Sequence, residues 1–431
     1  MRNKFKLFGM IALIAAIIFS LASCGNPWIA WILDDGGDSI PVIKIPAQPV
    51  ATTNKQAGSI RGSLNITATV TLGASLSYQW YDNTSNSNIG GTSIVGETNA
   101  SFTIPAALAV GTYYYFCEVS ADGAAPVRSN VATVIVRFID MVSIRPGSFT
   151  MGSPSNEPGR QPFPTSSDET QHSVRITQGF YMSKYQVTQA QWQTVMAGNT
   201  NGISATPSSG SSSPAAGETQ GSRPVECVNW YKIIVFCNKL SIREGLNPAY
   251  RISGSTDPDD WGTMPSGGFD SRPELNAVEI VLGSNGYRLP TEAQWEYACR
   301  AGTTTAYNNG WDGATPATAP GWYTANSDNK THEVGLKPAN AWGLFDMPGN
   351  VLESCWDWWD ADSDYYASSP VDDPSGPHDI VPGNPGNNTR RVIRGGSYRT
   401  DAGNLRSASR NRDYPGVSDP DWGFRVVRPG T

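Results

Sequence analysis

Histidine is almost missing from this chain: His172, His332 and His378 are the only three in 431 residues. Three scattered imidazoles exclude a metal centre built on histidine. Charge is also sparse, at 16% Asp, Glu, Lys and Arg, and the net value of −7 leaves no positive excess. Nothing here would neutralise phosphates, so a nucleic-acid partner is excluded. Long helical patterns are absent, and 44 Gly with 31 Pro punctuate the chain. That composition implies short elements joined by many turns. One apolar run stands out, residues 7–22, preceded by Arg2, Lys4 and Lys6. It is too short for a comfortable membrane span of about 20 residues. Residues 1–23 therefore read as a signal peptide, outside the fold.

What is present begins at the end of that segment. Leu21-Ala22-Ser23-Cys24-Gly25 resembles the lipobox of bacterial lipoproteins. The resemblance implies lipidation of Cys24, cleavage before it, and an exported protein anchored to the membrane, at the bacterial cell surface or in the periplasm. Residues 24–46 read as a tether. Beyond Cys24 remain Cys117, Cys227, Cys237, Cys299 and Cys355. An odd number leaves at least one thiol without a partner in the chain, and the pairing stays open at this point.

Residues 47–137 alternate apolar and polar side chains, as in Leu64-Asn65-Ile66-Thr67-Ala68-Thr69-Val70, with turn clusters between. The pattern predicts a β-sandwich. Tyr78-Gln79-Trp80-Tyr81 resembles the immunoglobulin strand that carries the buried Trp. Gly111-Thr112-Tyr113-Tyr114-Tyr115-Phe116-Cys117 resembles the tyrosine corner, with Tyr115 two before the cysteine. No cysteine stands near Ile66 to pair with it, so Cys117 is expected to be a buried free thiol. A spacer or adhesive module is the reading.

The second domain is expected over residues 138–431. Thr188-Gln189-Ala190-Gln191 is a capping box for a short helix ending at Gly198. Asn229 can cap a helix whose apolar positions Trp230, Ile233, Ile234, Cys237 and Leu240 share one face. Thr291-Glu292-Ala293-Gln294 caps a third helix, closed by Gly302. Residues 204–222, rich in Ser, Gly and Ala, read as a flexible surface loop. Trp295, Trp342, Trp356, Trp358 and Trp359 are expected in the core, holding loops together by buried area.

Six segments of this domain carry a resemblance. They are Gly147-Ser148-Phe149-Thr150-Met151-Gly152, Arg223-Pro224-Val225-Glu226, Tyr287-Arg288-Leu289-Pro290-Thr291-Glu292, Gly343-Leu344-Phe345-Asp346-Met347-Pro348-Gly349-Asn350-Val351, Arg394-Gly395-Gly396-Ser397 and Gly423-Phe424-Arg425. In this order they resemble the formylglycine-generating enzymes, or sulfatase-modifying factors. The resemblance implies a fold similar to the C-type lectins, α+β and rich in ordered loops, behind the immunoglobulin-like β-sandwich. It also implies calcium, held by side-chain oxygens of Asp346 and Glu353 and carbonyls of Gly349 and Val351, a hard-oxygen set suited to that ion.

The family's enzymes oxidise a sulfatase cysteine with copper held by two cysteines just after the Arg-Gly-Gly-Ser motif, thiolates being suited to Cu(I). In this chain no cysteine follows Cys355, and Ser397, which matches a family active-site serine, cannot hold the metal alone. Copper is therefore not expected, and no catalytic residue is assigned. The stretch from Tyr398 to Trp422 mixes aromatic, charged and amide side chains between fixed-looking anchors. It is similar to the variable segment of proteins diversified by retroelements on this same fold, and that mixture suits a paratope. Tyr398, Arg399, Asp401, Asn404, Asp413, Tyr414, Asp419 and Trp422 are the expected contacts for an unknown protein or glycan ligand. Two other readings stay open: an accessory or structural lipoprotein, and a formylglycine-generating enzyme lacking the usual copper cysteines.

Overall fold

The computed structural model describes residues 40–56, 60–160, 169–209, 213–268, 270, 272–311, 313–359, 372–377 and 389–430. Cys24, the signal peptide 1–23 and most of the tether 24–46 lie outside the described residues. The chain divides into two compact units. One runs to Ala51 and takes in Ser63–Thr103 and Tyr114–Thr133; the other comprises Thr52–Gly62, Ile104–Tyr113 and Val134–Thr431. Among the described residues no helix is long and apolar enough to cross a membrane.

The first unit is built of short antiparallel strands. Leu76–Asn83 pairs along its length with residues 114–121, placing Trp80 opposite Cys117, and pairs on its other side with Thr92–Ser93. Ile43–Ala47 pairs with Thr67–Val70, and Ser63–Asn65 with Ser101–Thr103. Alternation buries one side of each strand. The Trp80 ring is fully buried and stacks on Phe102 at 5.5 Å, with Tyr115 tilted against Phe102 at 4.9 Å. Cys117 is buried and unpaired, its thiol pushed up to about 11 by burial. Tyr113, which belongs to the other unit, donates its hydroxyl to the Ala109 carbonyl at 3.0 Å.

The second unit places its sheets around buried apolar clusters. Phe180–Ser183 lies between Met141–Ile144 and Val427–Pro429, antiparallel to both, which joins the start of this region to the end of the chain. Gly147–Met151 and His172–Ile176 form a hairpin-like pair. A four-stranded sheet runs in the order Arg410–Asp413, Arg391–Arg394, Leu352–Trp358, Trp422–Gly423, the last pair being parallel. The motif segments of the sequence are thus mostly strands and tight turns.

Both capping boxes form as the sequence predicts: Thr188 caps Gln189–Met196 and Thr291 caps Glu292–Arg300. The first helix stops at Met196, with Gly198 in the following turn at φ +71°. The second closes on Ala301 in the left-handed conformation, one residue before Gly302. Asn229 caps Trp230–Arg243 through Lys232 N–H. One apolar face is expected there, but the helix is buried nearly all round: Tyr231, Val235, Phe236, Asn238 and Ser241 are buried too. The polar members are satisfied internally. Asn238 Nδ2 donates to the Tyr250 and Thr256 carbonyls, and Ser241 Oγ donates to the Cys237 carbonyl.

The core fixes the loops. Trp192 stacks on Phe236 at 5.3 Å, and Phe424 meets both edge-on. Trp295, Trp358 and Trp359 are buried, while Trp342 and Trp356 pack on the clusters half-buried. The guanidinium of Arg391 lies between the Trp230 and Trp358 rings, at 3.7 and 3.3 Å from their centroids. Buried ion pairs hold distant segments together: Arg394 to Glu296, Arg410 to Glu292, and Arg406 to Glu157 and Glu169. Removing one partner of such a pair strands a buried charge and costs about 3–5 kcal/mol. Two described residues of the 204–222 loop are bonded to the rest of this unit. Trp192 Nε1 donates to the Ser204 carbonyl and Ser209 N–H donates to Glu226. All five described cysteines are free, so no disulfide joins any two of them.

Candidate functional site

The turn preceding the strand Leu352–Trp358 is forced into its shape by left-handed residues: Asp346 at φ +51°, Gly349 at +85° and Asn350 at +64°. At Gly349 a side chain is excluded, since a Cβ would sit 2.4 Å from the Trp322 carbonyl oxygen. The turn aims several oxygens at one point. The carbonyls of Asp346, Gly349 and Val351 and the Oε1 of Glu353 all lie 2.9–3.1 Å from a single atom, Nε2 of Gln186. Glu353 is further held by Arg425, Nε to Oε2 at 2.6 Å and Nη2 to Oε1 at 2.8 Å, and by Trp295 Nε1 at 2.7 Å. Asp346 accepts from Gly335 N–H through Oδ2 at 2.6 Å, and its Oδ1 is buried without a partner. Burial pushes this carboxyl up to about 6.

A second constellation stands beside the strand end at Trp422. Ser397 Oγ donates to Asp421 Oδ2 at 2.5 Å and accepts from Arg399 N–H at 3.2 Å. Asp421 is buried, and burial followed by its hydrogen bond with the Asp419 carboxyl raises it to about 6. Arg399 pairs with Asp419 across 3.6 Å, both about half exposed. Cys227, at φ +61°, donates its N–H to the Asp419 carbonyl at 3.0 Å. Its thiol is pushed up to about 12 by burial and then by the Glu226 carboxylate, so it is not a thiolate nucleophile at neutral pH.

The expected contact residues are therefore placed unequally. Arg399, Asp419 and the half-buried Trp422 lie in this constellation. Tyr398 belongs to it but is only 4% exposed: its N–H donates to the Asn350 carbonyl, and its own carbonyl accepts from Ser327 Oγ. Tyr398 is expected as a ligand contact, but its side chain is almost wholly buried here. Asp401 and Asn404 are exposed on a short 3₁₀ turn, Ala402–Leu405, pinned by the buried Leu405. Asp413 and Tyr414 are half-buried and held separately, Tyr414 under the Arg390 guanidinium at 4.9 Å. The buried Gly416 that follows is fixed by Asn229 Nδ2 at 2.9 Å.

The residues missing from the sequence expectation are Gln186 and Asp421. Asp421 had a signal, since it lies inside the segment singled out. Gln186 had none: it stands two residues before a helix cap and meets its partners only through contacts 160 or more residues away.

The donor set for copper is absent. The positions after Ser397 are Tyr398, Arg399, Thr400, Asp401, Ala402, Gly403, Asn404 and Leu405, with no thiol among them. Among the described residues no group of three or more His, Cys, Asp or Glu is placed to hold a metal. Cys299 and Cys355 are fully buried, and burial raises both thiols.

Comparison with known proteins agrees with this layout. Residues 129–429 match the model of the sulfatase-modifying factor enzyme 1-like domain. A chaperone protein, LppX, of Paenibacillus barcinonensis is 34% identical over 272 residues, 58% of this chain and 80% of that one. The formylglycine-generating enzyme of Streptomyces coelicolor is 36% identical over 161 residues, 33% of this chain but only 46% of the enzyme. Among solved structures, Treponema denticola variable protein 1 superposes with a TM-score of 0.55 at 32% identity, covering 72% of this chain and 97% of its own.

Proposed function

Because the chain belongs to the sulfatase-modifying factor enzyme 1-like family and lacks the thiolate pair of that family's oxidation, we propose that it is a binding protein. Its ligand face is the surface of Arg399, Asp401, Asn404, Asp419 and Trp422, with Asp413 and Tyr414 at its margin. The observation that carries this reading is the division of labour within one segment. Ser397, Tyr398, Arg406 and Asp421 are buried and bonded, while Arg399, Asp401 and Asn404, between and beside them, are exposed. Side chains on so fixed a frame can change without unfolding it. The likeness to a protein whose name describes it as variable supports the same reading. The ligand is a protein or glycan.

The finer parts of the reading rest on the sequence. Few short helices, short strands and long bonded loops support a C-type-lectin-like scaffold for residues 138–431. The buried Trp80 against Phe102 and Tyr115 supports an immunoglobulin-like spacer at 47–137. The lipobox-like Cys24 supports export and lipid anchorage. The oxygens of Asp346, Gly349, Val351 and Glu353, with the unpartnered Asp346 Oδ1, support a calcium-type cradle. Calcium there would be held by the oxygens of the turn; no chemistry is routed through it.

A second reading, an accessory lipoprotein that positions a partner, is favoured by the similarity to a protein named as a chaperone. A library separates the two. The seven face positions are randomised on a displayed protein and selected against a target the natural chain does not bind. The binding reading expects folded binders that melt within a few degrees of the natural chain. A library that is mostly unfolded would favour the accessory reading.

A further inference from the structure

Gln186 holds the centre of the oxygen cradle, and nothing in the family resemblance assigns it a role. Its Nε2 lies 3.1 Å from each of the carbonyl oxygens of Asp346, Gly349 and Val351, and 2.9 Å from Glu353 Oε1. An amide nitrogen has two hydrogens, so four acceptors share two donors. The orientation of the amide is nevertheless fixed, because an oxygen in that place would face four others with no hydrogen between them. The opposite end, Gln186 Oε1, is buried and unpartnered, as is Asp346 Oδ1. A buried acceptor left unmade is costly. The amide accepts that cost to put the positive end of its dipole where a cation's charge would otherwise sit.

We infer that Gln186 is a built-in substitute for the cation. Its NH2 group ties the four oxygens together, so the turn 346–353 forms without metal, and calcium enters only by displacing the amide. Two features of the surroundings agree. Glu353 is already neutralised by Arg425, so the cradle carries less free negative charge than its two carboxylates suggest. The turn is also braced from outside, by Gly335 N–H on Asp346 and by Gly349 N–H on the Gly395 carbonyl. This inference rests on reading the cradle as a calcium-type site. Competition follows from mass action. The apparent calcium affinity is reduced by the fraction of molecules in which the amide occupies the centre.

The experiment uses the full protein, with melting temperature and calorimetric calcium titration as readouts, in chelator and in millimolar calcium. The natural chain is expected to melt within about 2 °C under both conditions. Gln186→Ala is expected to melt about 3–8 °C lower in chelator. Calcium should restore most of that loss, with an affinity about tenfold or more tighter than the natural chain's. Gln186→Glu keeps the volume and crowds five oxygens together, so it should depend on calcium even if Gln186→Ala fails to fold. A Gln186→Ala protein as stable in chelator as the natural chain would overturn the substitution. So would a natural chain that unfolds in chelator. Loss of stability in both variants with no rescue by calcium would instead overturn the calcium reading of the cradle.

Discussion

Replacing Asp421 with Asn should make the protein more stable, and more so at pH 7.5 than at pH 4.5. Asp421 is 7% exposed and takes the Ser397 hydroxyl at 2.5 Å. Burial, then the neighbouring Asp419 carboxyl, raise it from an ordinary 3.8 to about 6. A raised acid destabilises the fold once it ionises. Below about pH 4 both folded and unfolded chains are protonated and the group costs nothing. Between about 4 and 6 the folded chain keeps a proton that the unfolded chain has released, so stability falls as pH rises. Above about 6 the full penalty applies. A carboxyl titrating near 6 when folded and 3.8 when unfolded sets that penalty at about 3 kcal/mol. Asparagine still accepts from Ser397 and carries no charge, so it removes the penalty without breaking the bond. The assay is denaturant unfolding of both proteins at pH 4.5 and 7.5. The expected result is an Asn-minus-Asp stability difference larger by about 1–3 kcal/mol at the higher pH. Parallel pH profiles, or an equal loss at both values, would refute the reasoning and make Asp421 an ordinary charged acceptor.

Tyr398→Ala should cost about 3–5 kcal/mol in denaturant unfolding, as truncation of a buried aromatic does. Arg399→Ala should stay within about 0.5–1 kcal/mol of the natural chain, because the pair with Asp419 is solvent-exposed. Protein loaded with copper should form no formylglycine from a cysteine-containing sulfatase peptide, read as aldehyde by mass spectrometry. Turnover that survives removal of every cysteine would show that the family's thiolate chemistry is the wrong template. The natural N-terminus, read by mass spectrometry, should be a lipidated Cys24; an unmodified chain retaining Met1 would remove the anchor.

The legible parts of this fold were those written in local chemistry. Thr188, Asn229 and Thr291 cap their helices as the sequence predicts, because a cap is decided within four residues. Trp80 and Cys117 are buried where alternation places them. The five apolar positions expected to share one face of Trp230–Arg243 are all buried, while the burial of Asn238 and Ser241 beside them was not legible. Their partners, such as the Tyr250 carbonyl, come from later loops. The burial of Tyr398 was illegible for a related reason. An aromatic between a Ser and an Arg carries no sign of how deeply it lies, and here the Tyr398 backbone is tied to Asn350 and Ser327. Gln186 was invisible because its role exists only after the turn 346–353 has closed around it.

The central claim is that the exposed side chains of one rigid segment bind a ligand while the buried ones hold the fold. Its most direct test is quantitative binding by the immobilised protein to a defined panel of purified polysaccharides and secreted proteins. The comparison is an Arg399→Ala, Asp419→Ala, Trp422→Ala triple variant. The account predicts saturable binding to at least one panel member, lost by about 2 kcal/mol or more in the variant, with the melting temperature unchanged within about 3 °C. Binding that survives the triple substitution undiminished, or a variant that unfolds, would contradict it.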